Sequence, residues 1–149
     1  MLKEILTSLF ERDLRKLIDE INLYKDENKL WEIAPGISNS AGNLCLHLIG
    51  NLSHFIGATL GHTGYVRHRD DEFALKNIPR QDLLMNIENT ILIVKKTLAE
   101  LNDEELEKDF PLEVMGKIFK TDFFLVHLAT HLSYHLGQIN YHRRLIDLK

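Results

Sequence analysis

With a single cysteine, Cys45, among 149 residues, the chain cannot close a disulfide on itself, which fits a reducing compartment. It also lacks a basic stripe: 18 Lys and Arg stand against 22 Asp and Glu, for a formal net charge of −4. Without such a stripe the electrostatic footprint of nucleic-acid binding is missing, and no nucleic-acid partner is expected. The opening residues Met1-Leu2-Lys3-Glu4 carry charge where a secretion signal needs an apolar run, so the expectation is a cytoplasmic protein. Charge is then absent altogether over a long central stretch, with no Asp, Glu, Lys or Arg from Ile33 through Val66. A membrane span would explain that gap, but Asn43, His47, Asn51, Ser53 and His54 interrupt it too often for a helix facing hydrocarbon.

What is present is helical periodicity. From Leu2 to about Tyr24, apolar residues Ile5, Leu6, Leu9, Phe10, Leu14, Leu17, Ile18 and Ile21 recur at three- and four-residue steps, predicting an amphipathic first helix. Pro35-Gly36 and Ser38-Asn39-Ser40 are loop chemistry ending in N-cap residues, so a second helix starts near Ser40 and runs to about Gly61. Apolar on one side and uncharged on the other, it is expected to be buried nearly all round, lining a polar cavity or a subunit interface. The charged run Arg67 to Glu72 is expected to be an internally paired, solvated loop. Pro79 opens a third helix that continues to about Asn102 on a stripe of Leu83, Leu84, Ile87, Ile91, Val94, Leu98 and Leu101. Phe110 to Phe119, punctuated by Pro111 and Gly116, reads as an irregular connection or short hairpin. A fourth helix follows from Thr121, taken as N-cap, to Leu148. The expected fold is an all-α four-helix bundle, one domain over residues 1–149.

The chemistry concentrates near the C-terminal end, in His131-Leu132-Ser133-Tyr134-His135-Leu136-Gly137-Gln138. Histidines four residues apart leave one helix face with Cβ atoms roughly 6 Å apart, a spacing that suits chelation of one divalent ion. His127, His131, His135, Gln138 and His142 form a stripe flanked by Leu128, Leu132, Leu136 and Ile139, which is therefore expected to point inward. No single ion spans that stripe, since His127 and His135 are about 12 Å apart along the axis while a zinc-bound nitrogen sits only about 2.0–2.1 Å from the metal. A third ligand must come from another helix. His47 and His54 both qualify, and spacing does not choose between them.

Three segments together, Ser40-Ala41-Gly42-Asn43-Leu44-Cys45-Leu46-His47-Leu48-Ile49-Gly50-Asn51-Leu52, Arg67-His68-Arg69-Asp70-Asp71-Glu72-Phe73 and His131 through Ile139, resemble the DinB-like superfamily of metal-dependent proteins, in particular a branch without an assigned function. The resemblance covers most of the chain. It implies an up-down-down-up four-helix bundle and a metal held by one histidine of the second helix and the HxxxH pair of the last, which maps onto His47, His131 and His135. It also implies kinship with S-transferases and isomerases that use low-molecular-weight thiols, and a homodimer.

Three neutral imidazoles leave an ion its full charge and an open coordination position, as in catalytic sites. Such an ion supplies a nucleophile at neutral pH from bound water or thiol. Imidazole ligation favours zinc or nickel, then iron or copper, over magnesium or calcium. Leu132 stands where an HExxH metalloprotease has Glu, and the Glu-x-x-His pairs of di-iron bundles are absent. The expected function is therefore a divalent-metal-dependent enzyme, a small-thiol S-transferase or a hydrolase, acting on a small molecule. The alternative is a non-catalytic metal-binding or interaction protein whose ion ties helices together, closed by a fourth ligand such as His127 or His54. No catalytic residue is assigned. Asn51, His127 and Gln138 are candidates for contacts to substrate or to the ligands, with His127 and His142 expected as hydrogen-bonded neighbours rather than ligands. Cys45, on the apolar side of its helix, is expected to be packing.

Overall fold

The computed structural model describes residues 1–148. Six helices account for the secondary structure among them: α1 (Leu2–Leu23), α2 (Ala41–Leu52), α3 (Arg69–Ala74), α4 (Arg80–Glu100), α5 (Asp103–Glu107) and α6 (Thr121–Ile146). A 3₁₀ turn, Glu27–Trp31, precedes α2, and a π-helical segment, Ser53–Ala58, extends it. The apolar spacing places the core. Leu6, Phe10, Leu14, Leu17 and Ile21 of α1 meet Leu44, Leu48 and Leu52 of α2, Leu83, Ile87, Ile91, Val94 and Leu98 of α4, and Leu125, Leu128, Leu132 and Ile139 of α6, all buried. Burying each such side chain stabilises the fold by roughly 1.5–3 kcal/mol before entropy is counted.

The order around that core follows from the contacts. α1 packs against α4 and α6, and α2 packs against the same two helices from the other side. Polar links fix their directions. Lys3 Nζ donates to the Leu101 carbonyl at 2.9 Å and Arg15 pairs with Glu88 at 2.8 Å, so α1 and α4 run oppositely. Glu20 meets Asn140 at 2.6 Å and, just past the end of α1, the Lys25 N–H meets Asp147 at 2.6 Å, so α1 and α6 run the same way. α2 runs against α6, with His47 beside His131 and the Phe55 ring 5.1 Å from Phe124. It runs with α4, since Gly57 faces Ile93 and Gly61 faces Thr97.

Several local expectations are corrected. Ser40 does cap α2, its hydroxyl accepting from the Asn43 N–H at 3.2 Å. At α6 the cap is Lys120 rather than Thr121, which is the first helical residue and buried, while Asp122 accepts from the Phe123 N–H. The Arg67–Glu72 run is not a loop throughout: Arg69–Ala74 is helical, because Asn43 Nδ2 reaches across from α2 to the carbonyls of Glu72 and Leu75 at 2.9 and 2.8 Å. The short α5 was not expected, although Asn102 and Glu105 form a reciprocal capping box there. Phe110 to Phe119 does close like a hairpin, through the Phe110 N–H to Phe119 carbonyl bond at 2.7 Å and an isolated bridge between Val114 and Lys117. Among the described residues no helix is long and apolar enough to cross a membrane. The uncharged α2 owes its composition to burial within the chain, packed by α3, α4, α6 and the 3₁₀ turn.

Candidate metal centre

Antiparallel packing of α2 on α6 decides which second-helix histidine meets the HxxxH pair. His47 lies between His131 and His135, its ring centroid 5.0 Å from one and 5.3 Å from the other, and one nitrogen of each of the three lies within 4.8 Å of the others. Among the described residues this is the only such group of His, Cys, Asp or Glu, and neither His54 nor His127 belongs to it. His54 sits about two turns further along, half-buried against the Phe55 ring at 4.8 Å.

The hydrogen bonds around the three rings assign their lone pairs. His47 Nδ1 lies 3.0 Å from Glu72 Oε1, an acceptor only, so Nδ1 carries the proton and Nε2 is left with a lone pair. His135 Nδ1 lies 2.6 Å from Gln138 Oε1, with the same result at its Nε2. His131 Nε2 stands 3.1 Å from His47 Nε2, and His131 Nδ1 is buried without a partner. With the His131 proton on Nε2 this contact is a hydrogen bond to His47; with the proton on Nδ1 all three rings offer lone pairs to one point, which a cation between them would satisfy. The donor set thus fits a divalent cation, which needs neutral imidazoles that present free nitrogens. His131 meets that requirement: burial first, then the neighbouring His135 and His47, lower its pKa to about 4. His135 is lowered as well, by burial, against the opposing bond from Gln138.

The wall behind His47 is Glu72 with Arg67. Burial alone would raise the Glu72 carboxyl, but bonds from His47 and Arg67 outweigh it and hold the group below its ordinary range. Arg67 reaches both oxygens, Nε to Oε2 and Nη2 to Oε1, each at 2.9 Å. The Phe73 ring packs 5.0 Å from His47, and the Arg69 guanidinium lies over the Phe73 ring at 5.2 Å. His47 is buried while His131 and His135 are half-exposed, so the point where the nitrogens meet opens toward solvent along α6.

The other candidates separate. Gln138 contacts His135 but is exposed, and His127 is exposed with its ring stacked on Phe124 at 5.7 Å, so the α6 stripe does not point inward along its whole length. Asn51 is buried one turn beyond His47, its Oδ1 without a partner. His142 is a packing residue, held between Tyr24 and the Glu32 carbonyl. Cys45 is fully buried, and burial pushes its thiol up to about 12, which removes it as a nucleophile. Sequence reasoning missed Glu72. Its signal was indirect: a buried histidine ligand needs an acceptor for its other nitrogen, and carboxylates bound the uncharged stretch, Glu32 before it and Asp70, Asp71 and Glu72 in the charged run that follows.

A family model described as "Protein of unknown function (DUF1572)" matches residues 2–149. No curated protein matches the chain.

Proposed function

This chain belongs to the DUF1572 family, and we propose that it is a divalent-metal-dependent enzyme built around His47, His131 and His135. The observation that carries the reading is the convergence of three imidazole nitrogens from two helices within 4.8 Å, on a side open to solvent. The family match and the helix directions support a DinB-like, up-down-down-up four-helix bundle forming one domain. Zinc or nickel suits three neutral imidazoles best, with iron next.

When bound there, the cation supplies Lewis-acid activation of a water or small thiol at neutral pH. The chain's own residues do the rest. Glu72 and Gln138 keep the protons of His47 and His135 on the nitrogens that face away from the site, so neither ring must change tautomer to act as a ligand. Phe73 packs against His47 on its buried side, and Phe55 against the Arg67 guanidinium behind it. Transfer of a low-molecular-weight thiol to an electrophilic small molecule is the reaction class we favour, because no carboxylate belongs to the nitrogen cluster to act as the base of a hydrolase. A homodimer is part of this proposal; since α2 is covered by the chain's own helices, a second copy docks on another face.

Elemental analysis of purified protein, paired with a thiol-transfer screen over several low-molecular-weight thiols, tests the reading. About one metal per chain is expected, lost in His47→Ala, His131→Ala and His135→Ala. Stoichiometric metal in His131→Ala refutes the site.

A further inference from the structure

Glu72 does not face the point where the three imidazoles meet, yet the surrounding residues are arranged around its carboxylate. It is 6 % exposed, while its neighbours Asp70 and Asp71 lie in solvent. Arg67 forks onto both of its oxygens at 2.9 Å, and Oε1 lies 3.0 Å from His47 Nδ1. Asn43 pins the backbone of α3 by the Glu72 and Leu75 carbonyls, at 2.9 and 2.8 Å. Gly50 supplies the room, because a Cβ there would collide with the Glu72 carboxylate. A buried charge is expensive unless it is paired and fully hydrogen-bonded. A pair needed only to hold two helices together would be cheaper as packed apolar side chains; the feature an apolar pair could not reproduce is the bond to His47.

We infer that Glu72 is the positioning residue of the metal centre, fixing His47 in its Nδ1–H tautomer so that Nε2 offers a lone pair to the point shared with His131 and His135, with Arg67 and Gly50 holding the carboxylate in register. The inference rests on the metal-centre reading above and deepens it. A carboxylate only accepts and a guanidinium only donates, so the single proton between His47 and Glu72 resides on Nδ1. Arg67 Nη2, 3.4 Å from that nitrogen, would donate to it only in the other tautomer; the shorter contacts, Nη2 and Nδ1 each to Oε1 at 2.9 and 3.0 Å, favour the proton on Nδ1. Glutamine at position 72 breaks this logic. Its amide presents one acceptor and one donor, whereas Arg67 and His47 together require acceptors at both positions. When the amide N–H faces His47, the ring takes the Nε2–H tautomer and its lone pair no longer points at the other two histidines.

The test is a Co²⁺ titration of the full chain against a competing chelator, in wild type, Glu72→Gln and His47→Ala, together with ¹⁵N NMR of the His47 ring in metal-free protein. Glu72→Gln is expected to raise the Co²⁺ dissociation constant about 10–100-fold, the usual cost of losing a partner behind a ligand. It should also move part of the His47 population to the Nε2–H tautomer, while His47→Ala abolishes binding. A dissociation constant within twofold of wild type overturns the inference. If Glu72→Gln does not fold, Gly50→Ala displaces the same carboxylate without changing charge and is read by the same two measurements. Wild type that takes up no Co²⁺ defeats the metal reading itself. The NMR readout then still decides the role of Glu72, because a His47 ring left fully Nδ1–H in Glu72→Gln overturns it.

Discussion

Two histidine nodes lie on α6, eleven residues apart, and they are built to opposite ends. At His142 both ring nitrogens are used by the protein: Nε2 donates to the Glu32 carbonyl at 2.8 Å, which leaves Nδ1 to accept from the Tyr24 hydroxyl at 2.6 Å. That imidazole ties α1, the 3₁₀ turn and α6 into one unit and has no lone pair to spare. At His131 one nitrogen is buried without a partner and the other faces a second histidine at 3.1 Å. Nearly identical surroundings in sequence, a histidine on a leucine-flanked helix face, therefore give a rivet in one case and an unspent donor set in the other. What separates them is the residue each meets across the core: a hydroxyl and a carbonyl for His142, two more imidazoles for His131.

The comparison can be broken at either node. The largest expected effect is on metal content: His131→Ala, His47→Ala and His135→Ala should each fall from about one metal per chain to background by elemental analysis, with His142→Ala still loaded. Stability should show the reverse order. In metal-free protein His142→Ala removes the partner of the Glu32 carbonyl and leaves the Tyr24 hydroxyl only its 3.4 Å bond to the Ile139 carbonyl, and is expected to cost about 2–4 kcal/mol in urea unfolding, against less than about 1 kcal/mol for His131→Ala. Chelation sharpens the distinction between a working and a merely tying ion. Removing metal from wild type should lower Tm by several degrees, about 2–4 °C per kcal/mol of lost binding energy in a chain of this size, with the melt still cooperative. Loss of the cooperative transition would instead favour an ion whose task is to hold α2 to α6.

The smallest effect is on pH. Folding holds the His131 pKa near 4, below the ordinary histidine value of 6.5, so between these limits the unfolded chain binds more protons than the folded one. Stability of metal-free protein should therefore decline as pH falls from about 6.5 toward 4, and His131→Ala should flatten part of that decline. Urea midpoints compared at pH 7 and pH 5 measure it. An equally steep decline in the variant would place its source elsewhere.

Much of this molecule can be read from its residues, for physical reasons that also mark the limits. The long helices show in the recurrence of apolar residues because one face of each must be buried, and the pairing of His131 with His135 shows because one helical turn sets it. The choice of His47 over His54 depends on the register between α2 and α6, a tertiary quantity that no local spacing encodes; only family resemblance pointed to it. The inward stripe was overextended. Phe124 supports the ring of His127 from one side only, and Gln138 lies past the edge of the helix interface, so both are exposed. Glu72 was hidden by its setting in a charged run, where solvation is the usual outcome, and its burial depends on Asn43, Gly50 and Arg67 from different parts of the chain.

Gly50 leaves a mark that could be sought in the family's own history. A methyl group at that position and an acidic side chain at residue 72 compete for the same space. Lineages that keep the acid should be barred from anything larger than glycine on the helix opposite, and lineages that have shed it are released from that bar. Substitutions at the two positions should accordingly fall together on the tree, the loss of the acid coming first.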